Sequence, residues 1–325
     1  MFSIPFSHLF FEISTYILFI ICFRHAAKQK VRRNERMAIL ISGTFYGILL
    51  ETMTIYQLHA YKYGAFLVMF HGEIPLTIGI GWGIILYSAI IIADSLKLSF
   101  AAWVAAVGLL GLGIDTTMDV MAVRTGMWRW FAIDSFDGRF LAQDQDWFGV
   151  TFGNYYAWFI VLISAAAFIR LYNLNSASNI FILVLKCIAV IGSSVIVLGV
   201  LDQIYVSYVN HKWWPVLLEI FSAVFVIIYS SLRRDGQHRD KSAFSGMPAY
   251  VVPFFFHVYF TDLMILAVFQ PSIIYDSEMK ELFLSQLPAL LCISLALLAA
   301  TVYIHVTTYK KMHLLKNIYS ETITD

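Results

Sequence analysis

The chain alternates long apolar runs with short polar connections from one end to the other. A helical span of a bilayer takes about 20 apolar residues, and nine runs are long enough. They cover residues 8–23, 37–58, 74–93, 99–122, 149–170, 180–202, 214–232, 247–270 and 285–306. The pattern predicts an all-α, polytopic transmembrane helix bundle of about nine spans. Eight spans remain possible, because polar residues interrupt the ends of the fourth and sixth runs.

Composition supports a bilayer environment for almost the whole chain. The sequence is 60% hydrophobic and 13% charged, with a mean hydropathy of +0.74, and a soluble surface cannot be covered with so few charges. The net charge of +1 argues against a nucleic-acid partner. We therefore expect one integral domain, residues 1–325, in the plasma or inner membrane and in contact with membrane lipids.

The basic residues of the connections predict the orientation of the bundle. Fifteen lysines and arginines fall on one side of the predicted membrane and six on the other, with Lys186 inside the sixth span. Cytoplasmic loops carry the excess of basic residues. The sequence therefore predicts an external N-terminus and a cytoplasmic C-terminus.

Polar side chains recur at the outer ends of seven spans. Lipid exposure of each would cost several kcal/mol, at an order of magnitude, so we expect them to converge inside the bundle. The group consists of Glu51, Glu73, Asp115, Asp119, Asn154, Asp202, Glu219 and Asp262. For Asp202, Glu219 and Asp262 a purely structural role, as helix caps or local partners, is an open alternative.

Asp115 and Asp119 are the most informative members of this group. A spacing of four residues places both carboxyl groups on one helix face. Two carboxylates so close together do not both ionise easily, so one is expected to keep its proton near neutral pH. Such a group is the proton donor that an alkene requires.

Aromatic residues are concentrated at the same level of the chain. Their ring faces can stabilise a carbocation, although tryptophan and tyrosine also mark membrane interfaces. We interpret five of them as candidate substrate-binding residues: Trp82, Trp128, Trp130, Tyr155 and Trp158.

Several other chemistries lack their sequence signatures. The three cysteines lie inside apolar runs without metal-ligand spacing. No phosphate-binding glycine motif occurs, and the nine histidines form no cluster typical of di-iron enzymes. We expect no metal and no cofactor.

The stretch from Tyr63 to Trp158 contains three blocks with a familiar pattern. They read HGEIPLTIGIGW, DTTMDVMAVRTGMWRW and WFGVTFGNYYAW, and their matching positions are Gly72, Pro75, Leu76, Trp82, Asp115, Asp119, Ala122, Gly126, Trp128, Trp130, Gly149, Val150, Asn154 and Trp158. Over about residues 43–158 the sequence resembles the CruF-like membrane carotenoid-biosynthesis family, which contains the γ-carotene and bisanhydrobacterioruberin hydratases. The resemblance implies a family-like catalytic core at residues 43–170 and additional spans at 180–306.

The resemblance implies a lipophilic isoprenoid substrate and hydration of a terminal C=C bond through a tertiary carbocation. We expect Asp115 and Asp119, with Glu73, to provide the proton, and Glu51 and Asn154 to orient water or the acid. Asp262 joins the aromatic residues as a candidate for substrate binding. Val120 and Thr151 stand where the family pattern has proline, and Glu73 is an added carboxylate, so the substrate can differ from that of the relatives.

Three alternatives use the same residues differently. A membrane terpene cyclase also needs an acid and an aromatic pocket, and an internal alkene then captures the cation in place of water. A prenyltransferase-type enzyme would hold Mg²⁺ and a diphosphate on the aspartates, with Arg124, Arg129 and Arg139 nearby. A proton-coupled transporter would use the buried acids as a proton relay.

Overall fold

The computed structural model describes residues 4–57, 61–96, 98–130, 146–209, 212–233, 247–274 and 280–321, with side chains up to Tyr303. Within these ranges nine helices are long and apolar enough to cross a membrane. They are α1 (Phe6–Lys28), α2 (Arg33–Tyr56), α3 (Leu76–Ser95), α4 (Phe100–Arg124), α5 (Phe152–Leu171), α6 (Ile180–Ile204), α7 (Trp214–Arg233), α8 (Pro248–Phe269) and α9 (Lys280–Glu321).

The predicted helix bundle is confirmed, and each helix overlaps one predicted span. The largest difference is at α9, which continues to Glu321, well beyond the apolar run that ends near residue 306. Its last turns contain several lysines and follow the apolar part without a helix-breaking residue. We call the end at which α2 and α4 finish and α3 and α5 begin the site end, and the opposite end the basic end.

Helix α3 lies at the centre of the bundle. It is apolar around its whole circumference, and almost every residue from Gly79 to Ser95 is buried, as expected for a helix with neighbours on all sides. Helices α6, α7 and α9 are mostly exposed and form the periphery. Helix α3 and its neighbours α2, α4 and α5 are thus the more buried part of the bundle.

Small residues bring α2 and α3 into close contact. A Cβ atom on Gly43 would lie 3.1 Å from the Cα of Gly83, and a Cβ on Gly83 would lie 2.9 Å from the carbonyl oxygen of Leu40. Backbones that approach this closely leave no room for a side chain, which is the usual function of paired glycines in membrane helices. This contact fixes the depth of α3 relative to α2.

A buried ion cluster connects the helix termini at the basic end. Asp94, at the end of α3, accepts hydrogen bonds from Arg36 (2.5 Å), Arg32 (3.2 Å) and the indole of Trp103 (2.9 Å), and it also pairs with Arg170. One carboxylate thus joins the termini of α2, α3, α4 and α5. Breaking a buried cluster of this kind leaves uncompensated charge in an apolar interior.

In the described part of the chain, three short antiparallel ribbons cover the site end. They are β1 (Tyr61–Tyr63) with β4 (Trp128–Trp130), β2 (Met69–Phe70) with β3 (Ile74–Pro75), and β5 (Asp146–Trp147) with β6 (Val150–Thr151). Helix α1 is bonded to the segment before β2. The buried carboxylate of Glu12 accepts hydrogen bonds from the backbone N–H groups of Leu67 (2.6 Å) and Val68 (2.9 Å).

The α2–α3 contact predicts different outcomes for two glycines of α3 that are two residues apart. Gly83→Ala places a methyl group against the α2 backbone, so we expect it to lower the melting temperature in detergent, with a loss of stability of about 1–3 kcal/mol. Thermal unfolding followed by circular dichroism measures the change.

Gly81→Ala is the matched control, because a Cβ at Gly81 has no neighbouring atom within 4 Å. Its melting temperature should equal or exceed that of the unmodified protein. Equal destabilisation by both alanines would contradict the packing described for Gly83.

Candidate functional site

Asp115 and Asp119 lie one turn apart on the inner face of α4. Their exposed fractions are 0% and 3%, and their Oδ2 atoms lie 3.0 Å and 2.6 Å from one nitrogen atom, Nδ2 of Asn154. Two negative charges this close together in an apolar interior would repel strongly. The four-residue spacing therefore brings both carboxyl groups to one place on the helix.

Asn154 of α5 bridges the two aspartates. Its Nδ2 atom donates to Asp115 Oδ2 at 3.0 Å and to Asp119 Oδ2 at 2.6 Å. The amide supplies two N–H groups and no charge, so it orients both carboxyl groups without a cation that would favour full ionisation of the pair.

The β5–β6 hairpin positions Asn154. Phe148 and Gly149 both have positive φ, at 52° and 86°, as in the two-residue turns that suit antiparallel ribbons. Arg124, the last residue of α4, donates to the carbonyl oxygen of Phe148 at 3.0 Å. Thr151 then caps α5 by accepting the backbone N–H of Asn154 at 3.3 Å. The end of α4 is thereby tied to the first turn of α5.

Glu51 of α2 forms a second polar centre beside the aspartates. Its carboxylate is 5% exposed. It accepts hydrogen bonds from the hydroxyls of Tyr63 (2.5 Å) and Tyr61, and from the indole of Trp82 at 2.9 Å. It also lies close enough to Asp119 for an electrostatic interaction. Three donors around one carboxyl group offset part of the cost of burying it.

The two tyrosines reach Glu51 from the β1–β4 ribbon. Tyr61 pairs with Trp130 and Tyr63 with Trp128 in the ribbon register, and their rings meet edge to face with centroids 4.8 Å and 5.9 Å apart. Burial raises the pKa of both tyrosines well above the usual value, and the neighbouring Glu51 raises it further. Both hydroxyls therefore remain protonated donors.

A glycine at the end of α4 starts the strand that carries the two tryptophans. Gly126 has a φ of 74°, and the N–H of Met127 returns to the carbonyl of Ala122 at 2.8 Å. This is the Schellman arrangement, which needs a residue with positive φ just after the helix. The chain then enters β4, so the spacing G-x-W-x-W places alternate residues, Trp128 and Trp130, on the same side of the ribbon.

Trp82 and Trp158 form a stacked aromatic wall beside Glu51. Their rings stack at a centroid distance of 3.8 Å and an angle of 20°. Trp82 is held by its hydrogen bond to Glu51. Trp158 lies one helical turn beyond Asn154, so the wall joins the Glu51 centre to the aspartate pair.

Buried polar atoms without a partner occur around the same acids. Asp115 Oδ1 accepts no hydrogen bond from any donor in the described part of the chain. The hydroxyl of Tyr155, which is 2% exposed, and the Nε1 atom of Trp130 also have no partner there. Tyr155 is close enough to both aspartates to interact with them electrostatically. Buried polar groups are rarely left unpaired in folded proteins.

Two of the expected site residues lie elsewhere. Glu73 is exposed in the turn between β2 and β3 and interacts with Tyr56, because the chain enters α3 only after this turn. Asp262 is exposed on the outer face of α8, together with Ile265 and Leu266, whereas its neighbour Thr261 faces inward. The expected convergence is therefore wrong for Glu73 and Asp262, and neither belongs to this site.

Asp202 and Glu219 form a separate group between α5, α6 and α7. Both interact electrostatically with Tyr156 and Tyr205, whose rings stack at a centroid distance of 4.4 Å. Tyr155 and Tyr156, consecutive on α5, thus face different acidic groups. Arg139, which the magnesium alternative would use, lies outside the described residues.

The role of Tyr61 and Tyr63 does not follow from the helical pattern of the sequence. Both are separated from Glu51 by a helix end and a turn, so helical spacing does not connect them. The alternation Y-x-Y, matched by W-x-W at residues 128–130, is the signal that predicts a ribbon.

No group of three or more His, Cys, Asp or Glu side chains suited to a metal ion occurs among the residues described.

Comparison with known protein families identifies the relationship of the chain. The model of a family described as "Carotenoid biosynthesis protein" matches residues 11–226, more than half of the 325 residues. The chain belongs to the carotenoid biosynthesis protein family. The match starts in α1 and ends in α7, beyond the region of about 43–158 in which the motifs are recognisable. No curated protein and no solved structure matches the chain.

Family membership has direct consequences for the protein. With nine membrane-length helices, a member of this family is a multi-pass membrane protein with a role in carotenoid biosynthesis. Its expected substrate is a lipophilic isoprenoid. Every residue of the Asp115, Asp119, Asn154 and Glu51 arrangement lies inside the matched region.

The three donors around Glu51 predict the effect of two substitutions. Glu51→Leu leaves the hydroxyls of Tyr61 and Tyr63 and the indole of Trp82 buried without an acceptor, which costs about 1–3 kcal/mol for each buried group left unpaired. We expect a large fall in melting temperature in detergent.

Glu51→Gln is the matched variant, because its amide oxygen still accepts hydrogen bonds at the same place. Its melting temperature should lie much closer to that of the unmodified protein. A glutamine variant as unstable as the leucine variant would show that charge, rather than hydrogen-bond acceptance, holds this centre together.

Proposed function

We propose that the protein adds water to a C=C bond of a carotenoid or related linear isoprenoid. The observation that carries the proposal is the buried Asp115–Asp119 pair, bridged by the uncharged amide of Asn154. Together with the carotenoid biosynthesis family, it points to proton-initiated chemistry on an alkene.

The aspartate pair is suited to donate a proton. Both carboxyl groups are buried, and ionisation of both would place two negative charges within a few ångströms in an apolar medium. The pair therefore holds one proton between the two groups. A protonated carboxylic acid in an apolar site can donate its proton to carbon, whereas a solvated carboxylate has no proton to donate.

The reaction balances without a cofactor or an oxidant. The π electrons of the alkene take the proton from the aspartate pair and form a C–H bond, which leaves a tertiary carbocation. The oxygen of a water molecule then forms a C–O bond to that carbon. The excess proton of the bound water returns to the aspartate pair, so the product is the substrate plus one water and the acid is regenerated.

The groups beside the acid suit the charge that develops on carbon. The stacked indoles of Trp82 and Trp158 supply aromatic surface, and ring faces attract a cation, by about 0.5–2 kcal/mol each. The carboxyl oxygens of Glu51, held by three donors, lie close by. Oxygen dipoles that are fixed in place before the reaction favour a cationic transition state.

The test is product analysis in bacteria that make linear carotenoids. We expect the expressed protein to yield a product heavier by one water, detected by mass spectrometry. Asp115→Asn and Asp119→Asn each remove the shared proton and should lower the yield by at least about 100-fold, the usual minimum contribution of a general acid.

Glu281→Gln, a change of an exposed acid at the start of α9, controls for charge loss and expression. A product of unchanged mass and new retention time would show ring closure by an internal alkene and overturn hydration. Undiminished hydration in either aspartate variant would overturn the assignment of the acid.

A further inference from the structure

Tyr155 and Asp115 each leave one buried polar atom without a partner, and the two side chains lie close enough to interact electrostatically. The Tyr155 side chain is 2% exposed and Asp115 is 0% exposed. Neither the tyrosine hydroxyl nor Asp115 Oδ1 has a hydrogen-bond donor or acceptor of the described chain as a partner. Buried hydroxyls are rarely left without a partner, so a group outside the protein is expected to satisfy it.

The chemistry of the two atoms defines what can bind there. A tyrosine hydroxyl both donates and accepts, and a carboxyl oxygen accepts. A water molecule fits both, since it can donate to Asp115 Oδ1 and exchange a hydrogen bond with Tyr155. Buried water typically occupies such places with two to four polar partners.

We propose that Tyr155 and Asp115 hold the water molecule that captures the carbocation, which makes Tyr155 the residue that decides between hydration and other fates of the cation. This inference rests on the proposed function. Tyr155 follows Asn154 on α5, so the bridge that orients the acid pair also fixes the place of the hydroxyl. The water is thereby held beside the acid that creates the cation, and its excess proton has a carboxylate to return to.

The neighbouring residue provides an internal comparison. Tyr156 is directed away from the aspartates, stacks on Tyr205, and donates from its hydroxyl to the carbonyl of Leu201 at 3.3 Å. The two tyrosines therefore share their helix and chemistry, but their hydroxyls face different surroundings and Tyr156 is less buried than Tyr155. Loss of the Tyr155 hydroxyl should change the product, whereas loss of the Tyr156 hydroxyl should not.

The experiment compares Tyr155→Phe and Tyr156→Phe in the carotenoid-producing bacteria, with product masses and substrate consumption measured together. For Tyr155→Phe we expect the hydrated fraction of the products to fall at least about tenfold. Substrate consumption should continue and give isomerised or ring-closed products of unchanged mass. Tyr156→Phe should keep the product ratio of the unmodified protein.

Three results separate the claims. An unchanged product ratio in Tyr155→Phe, or loss of all turnover in a variant that still melts cooperatively, would overturn the role of Tyr155 while leaving hydration intact. Absence of a hydrated product from the unmodified protein would overturn the proposed function itself.

If Tyr155→Phe fails to fold, Tyr155→His serves in its place. Its ring nitrogen can hold water, so it should retain part of the hydrated product, and its complete loss with turnover intact would contradict the proposal.

Discussion

The site end depends on two carboxyl groups that are buried one turn apart in the apolar interior of the helix bundle. Asp115 and Asp119 cannot both be charged at low energetic cost so far from water. The bundle instead offers the neutral amide of Asn154, at 3.0 Å and 2.6 Å. The end of α4, the β5–β6 hairpin and the capped start of α5 hold this amide in place, so much of the site end serves to orient one acid pair.

Glu51 is also a buried acid, but its hydrogen-bond partners differ from those of the aspartate pair. Three hydrogen-bond donors surround it, whereas the two aspartates share a single amide donor. Two acidic centres with different environments therefore lie side by side, and their environments assign them different tasks. At the basic end, Asp94 and its arginines stabilise the termini of four helices and leave the chemistry to the site end.

The sequence predicted the helices well because membrane thickness and apolar length determine them. It also predicted the aspartate pair and Asn154, since a four-residue spacing and a shared depth can be read directly from the chain. It could not show that Glu73 lies in an exposed turn or that Asp262 faces outward, because the side on which a residue lies depends on helix rotation. The hydrogen bonds from Tyr61 and Tyr63 depend on a ribbon between residues more than 60 positions apart, which helical periodicity does not reveal.

The most direct test of the account is the reaction of the purified protein with a linear carotenoid in D₂O. Proton transfer from the aspartate pair predicts one deuterium bound to carbon, beside the carbon that gains the hydroxyl, because the shared proton exchanges with solvent before it is transferred. That deuterium should be absent from reactions with Asp115→Asn. A hydrated product without deuterium on carbon would contradict protonation of the alkene by the buried acid pair.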